Sequence, residues 1–461
     1  GMFEKSPTMR AISTLLHWIR VSLRKYAIFV LHLSPHQNML QALILYTLIC
    51  FLLLSMPFTR LVPVGILDNL FTAASAASTT GLTSVNFAQS YNFLGKLIVL
   101  LFIQAGGIGY MTMSSFIYLS FSHRLKHRHM EVLNNEFALP RTVRLNDFLH
   151  AVIIFTFVAE AIGAFFLTNY FYHHGYTIWN ALWFGIFHSI SAFCTAGFSL
   201  FPDSFIGFET SKTINLVISL LALAGAMGFI VVTDLFNRLL RRTQEISYTT
   251  KIIILSTMAA LLVGSFIIML TNPGLDASAA LFQSVAAMTT AGFSTVPISS
   301  WTSCSLLIIM ALMTIGGSPS GTGGGLKTTT FTCLVATVTS HLFGRKYTTF
   351  LGRQIPVYRV YMANSTFIFY SMLLFITLFL LTWTETLPFI DILFEAVAAL
   401  GTGGMSIGAT PQLSAMGKLI IIAAMIIGRV GVITFGLALL QRDERELENE
   451  EKTVKREDLA V

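Results

Sequence analysis

A short pattern whose groups could coordinate a cation occurs four times in this chain. It reads Phe, four residues, Ala, two residues, Thr, one residue, Gly, and its copies begin 95 to 116 residues apart. A repeat at this interval indicates a duplicated unit made of several secondary-structure elements. The copies consist of Phe71, Ala76, Thr79 and Gly81; Phe187, Ala192, Thr195 and Gly197; Phe282, Ala287, Thr290 and Gly292; and Phe394, Ala399, Thr402 and Gly404.

The chemistry of the pattern is that of a carbonyl cage around an ion. Glycine lets the backbone turn its carbonyls inward, in conformations that a Cβ hinders. Rings of carbonyl oxygens can replace the hydration shell of a cation. Threonine adds a carbonyl or a hydroxyl, whereas Phe and Ala are interpreted as scaffold. The predicted ion filter takes four residues from each copy: Ser78, Thr79, Thr80 and Gly81; Cys194, Thr195, Ala196 and Gly197; Thr289, Thr290, Ala291 and Gly292; Gly401, Thr402, Gly403 and Gly404.

The alternative is that each Thr-x-Gly only ends a short buried helix, because glycine commonly terminates helices. Any single copy fits that interpretation at least as well as it fits an ion site. Four copies in the same register, each between two long apolar runs, favour the filter.

The composition is that of a polytopic membrane protein. The 461 residues are 54% hydrophobic and 11% charged, with mean hydropathy +0.72, whereas soluble domains carry about 25% charged residues. The net charge of +7 does not indicate nucleic-acid binding, because the basic residues lie in short loops between apolar runs. The cysteines and histidines are scattered, without the spacing of a disulfide framework or a transition-metal site. No cofactor is expected beyond the cation at the predicted filter.

Each copy of the pattern ends a short helix between two long apolar segments. A helix of about ten residues is about 15 Å long, which reaches halfway across a bilayer core of about 30 Å. We therefore predict an all-α protein with eight spans and four re-entrant half-helices. The predicted spans are 39–57, 93–122, 148–171, 212–236, 251–271, 303–343, 361–383 and 414–440, and the half-helices are 68–81, 180–193, 277–288 and 389–400.

The predicted organisation is four pore repeats flanked by two cytoplasmic segments. An amphipathic segment comes first and a highly charged tail comes last. The ranges are 1–38 for the amphipathic segment, 39–130, 131–245, 246–350 and 351–440 for the repeats, and 441–461 for the tail.

The distribution of Lys and Arg predicts the orientation of the repeats. Basic residues cluster between repeats, for example Arg124, Arg141 and Arg144 after the first repeat and Arg241 after the second. Such clusters mark cytoplasmic loops, so both termini are expected in the cytoplasm and the half-helices enter from outside. Each repeat crosses the membrane twice, so all four have the same orientation, unlike inverted-repeat transporters. Four such repeats can close a pseudo-fourfold pore, with the negative half-helix ends favouring a cation.

The second span of the third repeat contains a helix-breaking segment. Residues 316–328 include six glycines between Gly316 and Gly325 and a proline at Pro319, and both residue types disrupt helices. Non-helical backbone at membrane depth must lie against protein or line a cavity. We expect this segment to lie in the cavity below the filter. Lys327 places a positive charge there or extends to the interface.

Arg429 is a lone cation within an otherwise apolar span. A cation at this depth is costly unless it is paired or faces water. Two functions are open for it: an electrostatic barrier below the filter, or a tether for the segment 316–328. The structural alternative is an ion pair, with Glu160 as a candidate partner.

These motifs together resemble the Trk/Ktr/HKT superfamily of potassium transporters, from about Ser34 to about residue 440. The family's filter glycines match Gly81, Gly197, Gly292 and Gly404. Sodium-selective plant relatives carry serine at the first of these positions, so Gly81 implies potassium. Because no further span precedes the first repeat in this sequence, the resemblance is to the membrane subunit of the shorter Ktr branch.

The resemblance also implies a gate and partners. The family uses the segment matching 316–328 as an intramembrane gating loop, and the expected gate residues are Gly316, Gly317, Ser318, Gly321, Thr322, Gly323, Gly324, Gly325, Lys327 and Arg429. Members of the branch form homodimers in the cell membrane and sit on a cytosolic ring of nucleotide-binding regulatory subunits.

Two other classes of function compete with a gated potassium pathway. A membrane enzyme lacks support, because the sequence offers no nucleophile–base pair. A coupled transporter of another solute would predict inverted repeats and ionisable residues at the midplane. The sequence leaves open whether potassium flux is coupled to sodium.

Overall fold

The structure, a computed structural model, describes residues 7–131, 145–442 and 444–461. Arg141 and Arg144, which the sequence places in the loop between the first two repeats, lie outside these residues, as do the first six residues and the tail residue Asp443. The described part is predominantly helical, as predicted.

Helices account for nearly all of the described secondary structure, with one short β-hairpin, β1 (Thr349–Phe350) paired antiparallel with β2 (Arg353–Gln354). The helices are α1 (Pro7–Leu31), α2 (Pro35–Leu54), α3 (Ile66–Ala77), α4 (Phe87–Ser90), α5 (Phe93–Glu131), α6 (Leu145–His173), α7 (Ile178–Phe193), α8 (Lys212–Leu239), α9 (Tyr248–Thr271), α10 (Ala277–Met288), α11 (Ser303–Ile315), α12 (Thr328–Leu342), α13 (Val357–Thr384), α14 (Phe389–Leu400), α15 (Ala415–Val430), α16 (Val432–Leu440) and α17 (Glu444–Glu451).

Six of the described helices are long and apolar enough to cross a membrane: α2, α5, α6, α8, α9 and α13. The pair α15 and α16 passes the same test when its two helices are taken together. The predicted span over 414–440 consists of two helices, because the helix breaks at Gly431, whose φ is 95°. This left-handed conformation is readily available to glycine and ends a right-handed helix.

The predicted break in the third repeat is observed. Helix α11 ends at Ile315 and α12 begins at Thr328, so residues 316–327 connect two helices that are each too short to cross a bilayer alone. We call residues 316–327 the central loop.

The four half-helices are α3, α7, α10 and α14, and the last two have the predicted bounds. The first was predicted to continue to Gly81, but it ends at Ala77 because Thr79 leaves the helical region. The repeated Phe of each half-helix is at most 2% exposed and the repeated Ala is completely buried. The expected scaffold role of these two residues therefore agrees with their burial.

The chain divides into two compact units. One consists of Gly1–Ile44 with Ile433–Val461; inside it, the Gln37 side chain donates a hydrogen bond to the Ala438 carbonyl at 3.1 Å. The other, Leu45–Val432, contains all four half-helices, the central loop and Arg429. The candidate functional site lies in this larger unit.

Two helices of the larger unit approach the half-helix ends through glycine. A Cβ on Gly225 of α8 would meet the carbonyl group of Phe193, the last residue of α7. A Cβ on Gly428 of α15 would similarly meet the carbonyl group of Leu400 at the end of α14. These close approaches hold the half-helix ends against the neighbouring helices.

We expect Gly225→Ala to destabilise the protein by roughly 1–3 kcal/mol, the usual cost of overpacking, because the Phe193 backbone must move to admit the methyl group. The measurement is heat denaturation of the detergent-purified protein, followed by size-exclusion chromatography. Gly109→Ala is the matched control, since Gly109 is exposed on α5 and has no atom within 4 Å of its added Cβ. Equal denaturation midpoints for the two variants would contradict the prediction.

Candidate functional site

The four Thr-x-Gly segments share an unusual backbone conformation. The threonines have positive φ values of 51° at Thr79, 51° at Thr195, 60° at Thr290 and 52° at Thr402. Positive φ is a genuine outlier for a β-branched residue and costs of order 1–3 kcal/mol. Its recurrence in all four repeats shows that the surrounding structure imposes the same turn at the end of each half-helix.

The four glycines close a ring through contacts between successive repeats. Each has positive φ, between 65° and 98°, and each lies against the carbonyl oxygen that precedes the glycine of the next repeat. An added Cβ would meet Ala196 O from Gly81, Ala291 O from Gly197, Gly403 O from Gly292 and Thr80 O from Gly404. The contacts run from the first repeat to the fourth and back to the first, so any side chain would displace a ring carbonyl.

A cavity of about 400 Å³ opens on one side of this ring. All four glycines border it, and the rest of its wall comes mainly from the residues that follow them, including Asp203 and Ser406. The chain therefore provides a vestibule that leads to the ring of carbonyls.

The central loop contacts the threonines of three repeats. Thr322 Oγ1 lies 3.2 Å from Thr195 Oγ1, and the amide of Gly324 donates to Thr290 Oγ1 at 2.8 Å. A Cβ on Gly324 would also meet the Thr402 hydroxyl. In the first repeat, Thr79 Oγ1 has no hydrogen-bond partner among the described residues. The loop thus occupies the side of the four segments where the threonines lie.

Helix α8 supplies the acceptors that hold the loop. Gly228, with φ 84° and ψ 176°, interrupts the helical hydrogen bonding of α8. The carbonyl of Gly225 accepts from Thr322 N at 2.9 Å, and the carbonyl of Ala226 accepts from Ser318 N at 3.0 Å. Because buried backbone groups need hydrogen-bond partners, the carbonyls freed by the kink and the amides of the loop pair with each other. This kink was not predicted from the sequence, because a glycine within an apolar helix is only a weak indication of a break.

Arg429 joins two repeats to the loop. It is 4% exposed. Its Nε donates to the Ser78 carbonyl at 2.8 Å, its Nη1 to the Thr322 carbonyl at 2.9 Å and its Nη2 to the Thr402 hydroxyl at 3.0 Å. Its Cζ also lies 4.2 Å from the centre of the Tyr110 ring, a cation–π contact. These contacts distribute a buried charge over uncharged acceptors.

The suggested ion pair between Arg429 and Glu160 is not formed in the described structure. Glu160 instead accepts a hydrogen bond from the Gln104 side chain, and Cys194 Sγ lies 3.8 Å from its Oε1. The geometry favours the tether over the ion pair, because the guanidinium reaches a half-helix end and the loop at once.

Lys327 lies near the same aromatic ring. Its Nζ donates to the Gly323 carbonyl and sits 5.2 Å from the centre of the Tyr110 ring. Tyr110 therefore contacts both cations beneath the ring. The sequence analysis did not identify Tyr110, because one tyrosine in an apolar span carries no distinguishing pattern.

Comparison with known proteins places the chain in a family. The family model described as TrkH, cation transport protein, matches residues 36–272 and 246–446. Ktr system potassium uptake protein B of Vibrio alginolyticus is 33% identical, over 87% of this chain and 90% of that protein. Potassium/sodium uptake protein NtpJ of Enterococcus hirae is 34% identical, over 82% of this chain and 86% of that protein.

A solved structure supports the fold. The potassium transporter TrkH of Vibrio parahaemolyticus superposes with a TM-score of 0.70, at 20% identity, over 89% of this chain and 86% of that one. The family model and these relatives are those of transporters rather than enzymes. The chain is a multi-pass membrane protein that belongs to the TrkH family of cation transport proteins.

Proposed function

We propose that this protein takes up potassium across the cell membrane through the ring formed around Gly81, Gly197, Gly292 and Gly404. The observation that carries the proposal is the closure of that ring, in which each glycine packs on the carbonyl of the next repeat. Carbonyl oxygens in such a ring can replace the hydration shell of K⁺. Relatives named as potassium uptake proteins support the choice of ion. Sodium is the second candidate cargo, because one relative is named a potassium/sodium uptake protein.

The proposal includes eight spans in four repeats of the same orientation. Six spans are single helices, and the pairs α11–α12 and α15–α16 supply two interrupted ones. The half-helices then enter from outside and both termini lie in the cytoplasm, as the basic residues indicate. A homodimer and a cytosolic nucleotide-binding ring complete the proposed assembly, on the basis of the resemblance to the Ktr branch.

The central loop is the proposed gate, and its contacts with the threonines support a closed arrangement. The hydroxyls of Thr195, Thr290 and Thr402 bond to the loop or to Arg429. An ion leaving the carbonyl ring on this side would meet the loop and two cations, which oppose its passage. Conduction then requires the loop to move away from the threonines.

We expect Gly81→Ser to lower the preference for K⁺ over Na⁺ by about tenfold. The side chain adds strain of roughly 1–2 kcal/mol at positive φ, and its Cβ meets the Ala196 carbonyl of the ring. The measurement is K⁺ and Na⁺ flux into liposomes containing the purified protein. Gly274→Ser is the control, because Gly274 also has positive φ, 87°, but no atom within 4 Å of an added Cβ. Equal K⁺ and Na⁺ flux in the unmodified protein, or an unchanged ratio in Gly81→Ser, would refute the filter.

A shortened central loop is expected to raise flux in the resting state, because fewer groups would occupy the space beside the threonines. Deletion of 319–321 removes three residues of the loop and leaves Thr322 and Gly324 in the chain. The measurement is resting K⁺ flux in liposomes, normalised to the folded protein recovered. Unchanged flux would rule out the loop as the gate.

Variants of Arg429 separate the barrier from the tether. Arg429→Gln removes both the charge and the three-point contact, so resting flux should rise under either mechanism. Arg429→Lys keeps the charge but cannot reproduce the guanidinium's fork of donors. If resting flux in Arg429→Lys is as high as in Arg429→Gln, Arg429 acts as the tether. If resting flux in Arg429→Lys is as low as in the unmodified protein, Arg429 acts as the barrier. Arg442→Gln, in the exposed tail, controls for the loss of a charge; unchanged flux in both Arg429 variants would refute either function.

A further inference from the structure

The residue that follows the repeated Phe is polar in every repeat and is completely buried. It is Thr72, His188, Gln283 or Glu395, each 0% exposed. Burying a polar group without a hydrogen bond is costly. Four such residues at one position of an otherwise apolar half-helix therefore require a reason beyond packing.

In the third repeat, Gln283 joins the half-helix to the segment after the ring. Its Oε1 accepts from the amide of Thr295 at 2.9 Å, and its Nε2 donates to the carbonyl of Phe293 at 3.3 Å. Phe293 directly follows the ring residue Gly292. One side chain thus fixes both a donor and an acceptor within three residues of the ring.

In the second repeat, His188 makes the equivalent connection. Its Nδ1 lies 2.8 Å from the Phe184 carbonyl, so that nitrogen carries the proton. Its Nε2 is then an acceptor, 2.8 Å from Ser199 Oγ and 3.2 Å from the amide of Leu200. Leu200 follows Gly197 by three residues, the spacing at which Thr295 follows Gly292 in the third repeat.

In the fourth repeat, Glu395 makes the connection through one oxygen. Its Oε1 accepts from Ser406 Oγ at 2.5 Å and from Thr410 Oγ1 at 2.6 Å. Ser406 comes two residues after Gly404. The Oε2 atom has no hydrogen-bond partner among the described residues. The carbonyl oxygen of a glutamine side chain could therefore accept from the same two hydroxyls.

The first repeat makes the connection from another position. Thr72 is too short to reach the segment after Gly81. Ser84 instead donates to Asp68 at 2.8 Å, and Asp68 forms a 2.8 Å ion pair with Lys418. Thr72 therefore provides a natural comparison, since it occupies the same position without making the connection.

We propose that His188, Gln283 and Glu395 are positioning residues that set the spacing of the ring carbonyls from behind. This rests on the proposed potassium function. The positive-φ threonine holds one end of each segment, and the polar side chain holds the other end within a few residues of the glycine. Because selectivity depends on where the carbonyls sit, the loss of this second anchor lets the ring adjust to a smaller ion.

The experiment compares Gln283→Leu and Glu395→Leu with Glu395→Gln and Thr72→Val. We expect each Leu variant to lower the K⁺/Na⁺ flux ratio about fivefold or more, the factor that corresponds to one lost hydrogen bond. Glu395→Gln keeps an acceptor for both hydroxyls and should retain the ratio, as should Thr72→Val. A second measurement is the cation concentration that gives half-maximal thermal stabilisation of the protein in detergent. In the Leu variants this concentration should rise for K⁺ but not for Na⁺.

The outcomes separate this proposal from the one it rests on. An unmodified protein that does not prefer K⁺ refutes the proposed function, whatever the variants do. A selective protein whose folded Leu variants keep the same ratio overturns the positioning role alone. If the Leu variants do not fold, Gln283→Glu decides, because it keeps the acceptor for Thr295 but loses the donor to Phe293. A reduced ratio in that variant supports the role, and an unchanged ratio overturns it.

Discussion

The close packing of each ring glycine on the carbonyl of the next repeat is the constraint on which the rest of the structure depends. Four half-helices must end at the same level and turn in the same way, and this requires positive φ at four threonines, including Thr79 and Thr195. Non-glycine residues pay for that conformation in strain. The buried Phe and Ala on each half-helix, and the helices that approach through Gly225 and Gly428, hold the ends firmly enough to maintain it.

The groups beneath the ring are arranged around two cations, a buried Arg429 and a half-buried Lys327, rather than around an anion. Arg429 and Lys327 both contact Tyr110 and both donate to carbonyls of the central loop. Since like charges close together repel, the aromatic face and the carbonyl oxygens supply the compensating negative potential. Movement of the loop would remove the Thr322 carbonyl from Arg429. The observed position of the loop is thereby stabilised by one of the charges that, under the proposed function, would oppose an ion in the path.

The sequence predicted what depends on residue type and period, and missed what depends on contacts between repeats. The glycines, the half-helices and the break before Thr328 could be read from pattern, because glycine, proline and apolar length act locally. The breaks at Gly228 and Gly431 could not, since a single glycine within an apolar run is compatible with a continuous helix. The positive φ of the threonines and the partners of Arg429 arise only when the repeats meet, as no local rule favours either.

The four repeats have the same backbone conformation at the ring but differ in the side chains that support it. Such a difference is possible because the four repeats belong to one chain. A symmetric tetramer would place the same residue behind the ring four times, whereas here His188, Gln283 and Glu395 make the same connection with different chemistry. The central loop comes from one repeat and Arg429 from another. The glycine contacts, the positive-φ threonines and the buried Phe and Ala recur in every repeat, whereas the polar side chains behind them differ. The contacts beneath the ring are therefore asymmetric, although the ring itself repeats.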